Sequence, residues 1–212
     1  MKTVLLLLFL TITFSAQAQT GFGLKGGVSY ASYRCGDSKV IAGREAFGST
    51  QSLPTFYLTG YLHSPVSSRV YFHPEVSLQG KGSIIKETQY MGGWEIEQKT
   101  KWLDFAFNFL GEVPAGNFGD FFIGGGPYIG FAMDGTNKYT EKGTTTAVII
   151  YQDNALKNFD CGVNLLTGLK FAKRFSINAN YRLGLTSIAE KYFKWSDEVR
   201  NQVFSLGLGV SL

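Results

Sequence analysis

The sequence predicts an all-β fold, an eight-stranded antiparallel up-and-down transmembrane β-barrel preceded by a signal peptide. Three observations predict it. The chain opens with an apolar leader. Strand-length segments follow with a strict period of two, carrying large apolar residues on one face and small or polar residues on the other. The connections between these segments alternate long and short. A soluble sheet buries its apolar face against a second layer. A barrel in lipid turns that face outward and keeps its inside polar.

The leader is residues 1–18, and residues 19–212 are expected to form one outer-membrane β-barrel domain. Lys2 supplies the positive start, and Val4 to Phe14 is apolar except for Thr11 and Thr13. Ala16-Gln17-Ala18 is a small-residue cleavage site. The apolar run is shorter than the ~20 residues a spanning helix needs. Gln19 rather than Cys follows the cut, so no lipid anchor is indicated. Losing Lys2 from the 20 bases leaves 19 against 16 acids, a mild balance that gives no case for nucleic-acid binding. Export permits a disulfide. Cys161 is nevertheless expected to face outward on the sixth strand, and Cys35 lies just past the first, a strand that is not its neighbour. Two free thiols are expected.

The first strand, 21–33, sets Phe22, Leu24, Val28 and Tyr30 against Gly23, Lys25, Gly27 and Ser29. The second, 53–63, sets Phe56, Leu58 and Leu62 against Tyr57, Thr59, Tyr61 and His63. Ser64-Pro65-Val66-Ser67-Ser68 reads as the turn after it. The third, 69–85, sets Phe72, Pro74, Val76 and Leu78 against Tyr71, His73, Glu75, Ser77, Gln79 and Lys81. The fourth, 99–111, opposes Leu103, Phe105, Phe107 and Phe109 to Asp104, Ala106 and Asn108. The fifth, 121–133, is rich in glycine, with Ile123, Ile129 and Phe131 opposite Tyr128. Pro74 and Pro127 each remove a ladder donor inside a strand, so bulges are expected there.

The longest connection, 134–158, contains Thr144 to Tyr151, whose β-propensity suggests a projecting hairpin with Asn137 to Glu141. The sixth strand, 159–171, sets Cys161, Val163, Leu165 and Leu169 against Asp160, Asn164, Gly168 and Lys170. The seventh, 175–188, sets Phe175, Ile177, Ala179, Tyr181, Leu183 and Leu185 against Ser176, Asn178, Asn180, Arg182, Gly184 and Thr186. In the eighth, Phe204, Leu206, Leu208, Val210 and Leu212 oppose Ser205, Gly207, Gly209 and Ser211. Short turns belong on the periplasmic side and long loops outside. An even strand count then places both termini in the periplasm.

These segments resemble the PorT-like outer-membrane β-barrel proteins common in Bacteroidetes. The resemblance is carried by Gly23-Leu24-Lys25-Gly26-Gly27 and by Pro74-Glu75-Val76-Ser77-Leu78-Gln79-Gly80-Lys81-Gly82. Gly125-Gly126-Pro127-Tyr128-Ile129-Gly130, Tyr181-Arg182-Leu183-Gly184-Leu185-Thr186 and the close from Val203 to Leu212 continue it. It implies the fold and an outer-membrane location in a Gram-negative bacterium. The founding member's association with protein secretion makes a secretion-associated component one alternative role.

The lumen of an eight-stranded barrel is just wide enough for side chains to fill. The expected inward charges are Lys25, Glu75, Lys81, Asp104, Asp160, Lys170 and Arg182. Buried charges cost several kcal/mol each unless paired. An interior network of ion pairs and tyrosines is therefore expected in place of a water-filled channel. Gly21-x-Gly23-x-x-Gly26 matches a dinucleotide fingerprint in form only, since it lies within a strand and no helix follows. His63 and His73 are the candidate catalytic histidines for a lipid-modifying enzyme. A turn centred on Val66 sets His73 opposite Thr59, about 13 Å along the ladder from His63 at the usual strand rise. That is too far for shared chemistry or metal ligation. No catalytic, cofactor or metal site is assigned.

Tyr90, Trp94, Tyr192, Phe193 and Trp195 lie in the long connections among charged residues. They read as interface anchors or as a recognition surface. Lys191, Lys194 and Arg200 stand near lipid phosphates on this reading. The expected role is non-enzymatic, structural or binding through extracellular loops, in a monomer. Its partners are outer-membrane lipid, lipopolysaccharide and, during biogenesis, the barrel-assembly machinery. A small pore, a lipid-modifying enzyme and a soluble lipocalin-like barrel are the alternatives.

Overall fold

The computed structural model describes residues 20–36, 40–41, 44–45, 49–86, 94–141, 144–149, 156–172, 174–190 and 198–212. The expected leader, residues 1–18, lies outside the described residues. Eight long strands form the fold: β1 (Gly21–Cys35), β2 (Leu53–Ser67), β3 (Val70–Lys86), β4 (Trp94–Pro114), β5 (Asp120–Glu141), β6 (Phe159–Phe171), β7 (Phe175–Gly184) and β8 (Val199–Ser211). Each pairs antiparallel with its sequence neighbours. β1 pairs with β8, from Gly23 opposite Ser211 to Cys35 opposite Val199, and so closes the ring. Closure removes the sheet edges that an open sheet would expose.

The period of two sorts every strand. Phe22, Leu24, Phe56, Leu58, Phe107, Phe109, Ile123, Leu165, Ile177, Leu206 and Leu208 point away from the lumen. Lys25, Thr59, Glu75, Ser77, Lys81, Asp104, Asn108, Asp160, Asn164, Arg182 and Ser205 are buried inside. Fully enclosed charges beside a continuous exposed apolar band are the reverse of a soluble barrel, so the lipocalin-like alternative fails. Cys35 and Cys161 are free thiols, each partly buried.

Boundaries and register depart from the sequence reading in four places. β2 does not turn at Ser64–Ser68. It runs through Pro65, which stands opposite Tyr71, and the chain reverses at Ser68-Arg69. Val66 is accommodated by a register shift between Pro65 and Ser67. β4 and β5 extend beyond the expected ends, and the projecting hairpin expected there forms, with Thr144–Ile149 pairing along Thr136 to Glu141 of β5. β7 stops at Gly184 rather than Ile188. The chain there bends inward, Leu156 bridges Ala189, and the Ile188 amide donates to the Val199 carbonyl at 2.8 Å.

The prolines do not cause bulges. Pro74 stays in register opposite Phe107 of β4, while the β2 ladder skips from Tyr61–Glu75 to Ser64–Phe72 with its register unchanged. Pro127 stays opposite Val163 of β6, and the β4 ladder skips from Ala106–Tyr128 to Phe109–Gly125. Each proline sacrifices pairing on the one side its missing N–H would have served, without adding a residue. The β4–β5 bulge lies instead at Lys101/Trp102, where Met133 is the extra residue.

The lumen has three layers. At the loop end, Tyr33, Trp102, Leu156, Ile188, Ala189 and Val199 form an apolar cap. Charged and amide side chains fill the middle. At the end that carries the short turns and both described termini, the lumen is lined by His63, His73, Lys170 and a small apolar cluster of Leu110, Phe122 and Leu166. Leu206, in the centre of β8, faces outward. Leu206→Arg is expected to destabilise the barrel by roughly 2–4 kcal/mol in unfolding from lipid vesicles, against about 0–1 kcal/mol for Leu212→Arg near the rim. Equal costs at the two positions would show that Leu206 does not meet lipid.

Candidate functional site

The interior is built around Arg182. β7 sets it inward because Tyr181 and Leu183 on either side face out. Its guanidinium reaches across to β3 and β4. Nη1 donates to Gln79 Oε1 at 2.7 Å and to Asp104 Oδ2 at 3.3 Å, and Nη2 donates to Ser77 Oγ at 2.8 Å. Nη2 also lies 3.6 Å from Glu75 Oε2. Glu75 in turn accepts from Lys25 Nζ at 2.6 Å. Asp104 lies 3.0 Å from Lys81 Nζ, and Lys81 donates to Asp160 Oδ2 at 2.9 Å.

Asp160 closes the chain of charges. It accepts from Tyr128 Oη at 3.0 Å and from Asn201 Nδ2 at 2.9 Å. The Lys81 ammonium sits over the rings of Trp102 and Tyr128, 4.7 and 4.8 Å from their centroids. Six of the seven inward charges named from the sequence thus meet in one connected network. Polar side chains fill the space around it. Ser29 and Ser205 share a hydrogen bond of 2.7 Å, and Thr59 and Ser77 share one of 2.5 Å. Tyr57 spans the lumen to donate to Asn178 Oδ1 at 2.5 Å. Gly207 makes that crossing possible, because a Cβ there would stand 2.2 Å from the Tyr57 hydroxyl.

Lys170 is set apart. It pairs with Glu112 of β4, which the sequence reading missed because that strand was expected to end at Gly111. Beside this pair the separation expected for the two histidines is overturned. With the turn at Ser68-Arg69, His63 lies across from His73, and their Nδ1 atoms are 3.2 Å apart. The error was one of register. β2 continues past His63, so pairing moves four residues from Thr59. Lys170 Nζ lies 3.2 Å from His63 Nε2, and His73 Nε2 lies 3.4 Å from Glu75 Oε1. An ammonium only donates. His63 therefore accepts at Nε2 and donates from Nδ1 to His73, which donates from Nε2 to Glu75. Glu112, 3.3 Å from His63 Nε2, is held by Lys170 instead. His63 stacks on Tyr71 and His73 on Tyr61, with centroids 4.1 and 4.6 Å apart.

Among the described residues no group of three or more His, Cys, Asp or Glu is arranged to hold a metal. Tyr90, Tyr192, Phe193 and Trp195, with Lys191 and Lys194, lie outside the described residues. Trp94 opens β4 opposite Glu141, and Arg200 lies in β8 and pairs with Glu198. Trp102, which encloses Lys81, was missed, although the alternation that turns Leu103 outward turns Trp102 in.

Arg182→Met leaves two buried carboxylates without their guanidinium. It is expected to cost about 3–5 kcal/mol in urea unfolding from vesicles. The double variant Arg182→Met/Glu75→Gln is expected to recover part of that loss, and a double variant no better than the single would show that Glu75 is not coupled to Arg182.

A family model described as "outer membrane protein beta-barrel domain" matches residues 15–190. No curated protein matches the chain. Among solved structures, Ail of Yersinia pestis shares 12% identity, with 92% of this chain and 100% of that chain covered and a TM-score of 0.42. Neisserial surface protein A shares 13%, with 91% and 98% covered and a TM-score of 0.44. OprG from Pseudomonas aeruginosa shares 12%, with 91% and 95% covered and a TM-score of 0.42. Nothing of what those proteins do passes to this chain at such identities.

Proposed function

The chain belongs to the outer membrane protein β-barrel domain family and is an integral outer-membrane β-barrel protein, and from that premise we propose that it is a closed, non-conducting and non-enzymatic scaffold. Its role is structural or binding, exerted through the long connections at the loop end. Both termini and the short turns face the periplasm, and the loops face outward. Outer-membrane lipid and lipopolysaccharide surround the monomer, and the barrel-assembly machinery inserts it. PorT-like kinship is the finer family reading, carried by the motifs in β1, β3, β5 and β7.

The observation that carries the closed-scaffold reading is the filled lumen. Lys81, Asp104, Asp160 and Arg182 are each 2% exposed or less and bond one another across the barrel axis. A conducting pore needs a continuous water column, and the apolar cap around Trp102 and Ile188 stands over the same axis. The purified protein in planar bilayers is therefore expected to give no unitary current steps. Regular steps of one size, recurring across preparations, would overturn the closed lumen. The non-enzymatic part has its own check. Replacing His63 and His73 together with Gln in the native host is expected to leave the lipid A profile unchanged, and a changed profile would sink it.

A further inference from the structure

We propose that the turn end of the lumen holds a binding site for one small monovalent anion of the halide class. The cavity there is lined by Lys25, His63, His73, Lys170, Ser176 and Asn178, with Tyr61 and the apolar cluster of Leu110, Phe122 and Leu166 completing the wall. Its volume is about 20 Å³, room for a single water-sized species.

The chemistry of the lining selects the sign of the occupant. No carboxylate lines the cavity. Glu75 and Glu112 stand behind the two lysines and are engaged by them. Lys25 donates one proton to Glu75, and Lys170 is shared between Glu112 and His63, so each ammonium keeps a spare N–H. Asn178 is the independent sign. It is 1% exposed, its Oδ1 is taken by Tyr57, and its Nδ2 has no partner among the described residues. A buried amide donor left unbonded has lost its water without a replacement, a penalty that a bound acceptor removes. Two ammonium groups, an orphaned amide and a serine hydroxyl converge on one water-sized space, and an anion accepts from all of them.

The interior charges otherwise cancel: Lys25, Lys81, Lys170 and Arg182 stand against Glu75, Asp104, Glu112 and Asp160. The cavity sits beside the His63–His73 pair. The charged and titratable groups around that pair are Lys25 of β1, Tyr61 of β2, Tyr71 and Glu75 of β3, Glu112 of β4, Asp120 of β5 and Lys170 of β6.

Crystals of the intact barrel grown in sodium bromide test the site directly. The expected result is one anomalous peak inside the lumen, between Lys170, Lys25 and Asn178. Bromide peaks confined to the outer surface would overturn the proposal and leave water as the occupant. In detergent solution, chloride-35 line broadening is expected to saturate and to be displaced by bromide but not by the bulkier sulfate. Asn178→Leu and Lys170→Met are expected to weaken it about tenfold or more, whereas Lys99→Met at the loop end leaves it unchanged. Where Asn178→Leu fails to fold, as judged by heat-modifiable migration, Ser176→Ala supplies the same comparison. Broadening that is equal in all variants marks surface binding and overturns the site.

Discussion

Arg182 carries the constraint on which the barrel's interior depends. An ion-pair network in so narrow a lumen must compensate every charge at once, because water does not reach the middle layer to screen any of them. The guanidinium meets this demand where an ammonium would not. Its planar fork bonds Ser77, Gln79 and Asp104 together and approaches Glu75, binding two strands through one side chain. Lys81 performs the second half of the task as a point charge between Asp104 and Asp160, with Trp102 and Tyr128 covering it. The outer surface is permissive by comparison, since lipid asks only that a residue be apolar.

That asymmetry explains what was legible in the sequence. Facing follows from alternation, a local property, so Lys25, Glu75, Lys81, Asp104, Asp160 and Arg182 were assignable to the lumen one strand at a time. Partnership depends on register, which is non-local. The sequence of β2 offers Ser64-Pro65 as a plausible turn, and a proline near a strand end does not disclose that the ladder continues past it. One misplaced reversal moved His73 four residues along its partner and hid its contact with His63. Glu112 was missed for a related reason. β4 runs on past Gly111 to Pro114 and pairs Glu112 with Phe122 of β5, an extension that only the partner strand reveals.

The two prolines give the same lesson in reverse. A bulge was the expected remedy for a missing donor, because the rule treats the strand as needing every bond. Each antiparallel residue directs its N–H to one neighbour only. Pro74 and Pro127 need only the loss of pairing on that side, and the intact ladder on the other keeps the register. The real bulges lie elsewhere, at Val66 beside the β2–β3 turn and at Met133 opposite Lys101 and Trp102.

The span of the interior bonds has a kinetic consequence. Lys25 and Glu75 are 50 residues apart, Lys81 and Asp160 are 79 apart, and Arg182 lies 78 from Asp104 and 105 from Ser77. None of these pairs lies within one hairpin. A hairpin entering the bilayer alone would leave most of its charges uncompensated, Lys81 and Asp104 of the β3–β4 hairpin excepted, whereas the closed ring leaves none. Sequence-local assembly is thus opposed and whole-ring assembly favoured. Such a contact order makes unassisted insertion slow and all-or-none, with neutrality of the lumen as the event that commits the chain to the membrane.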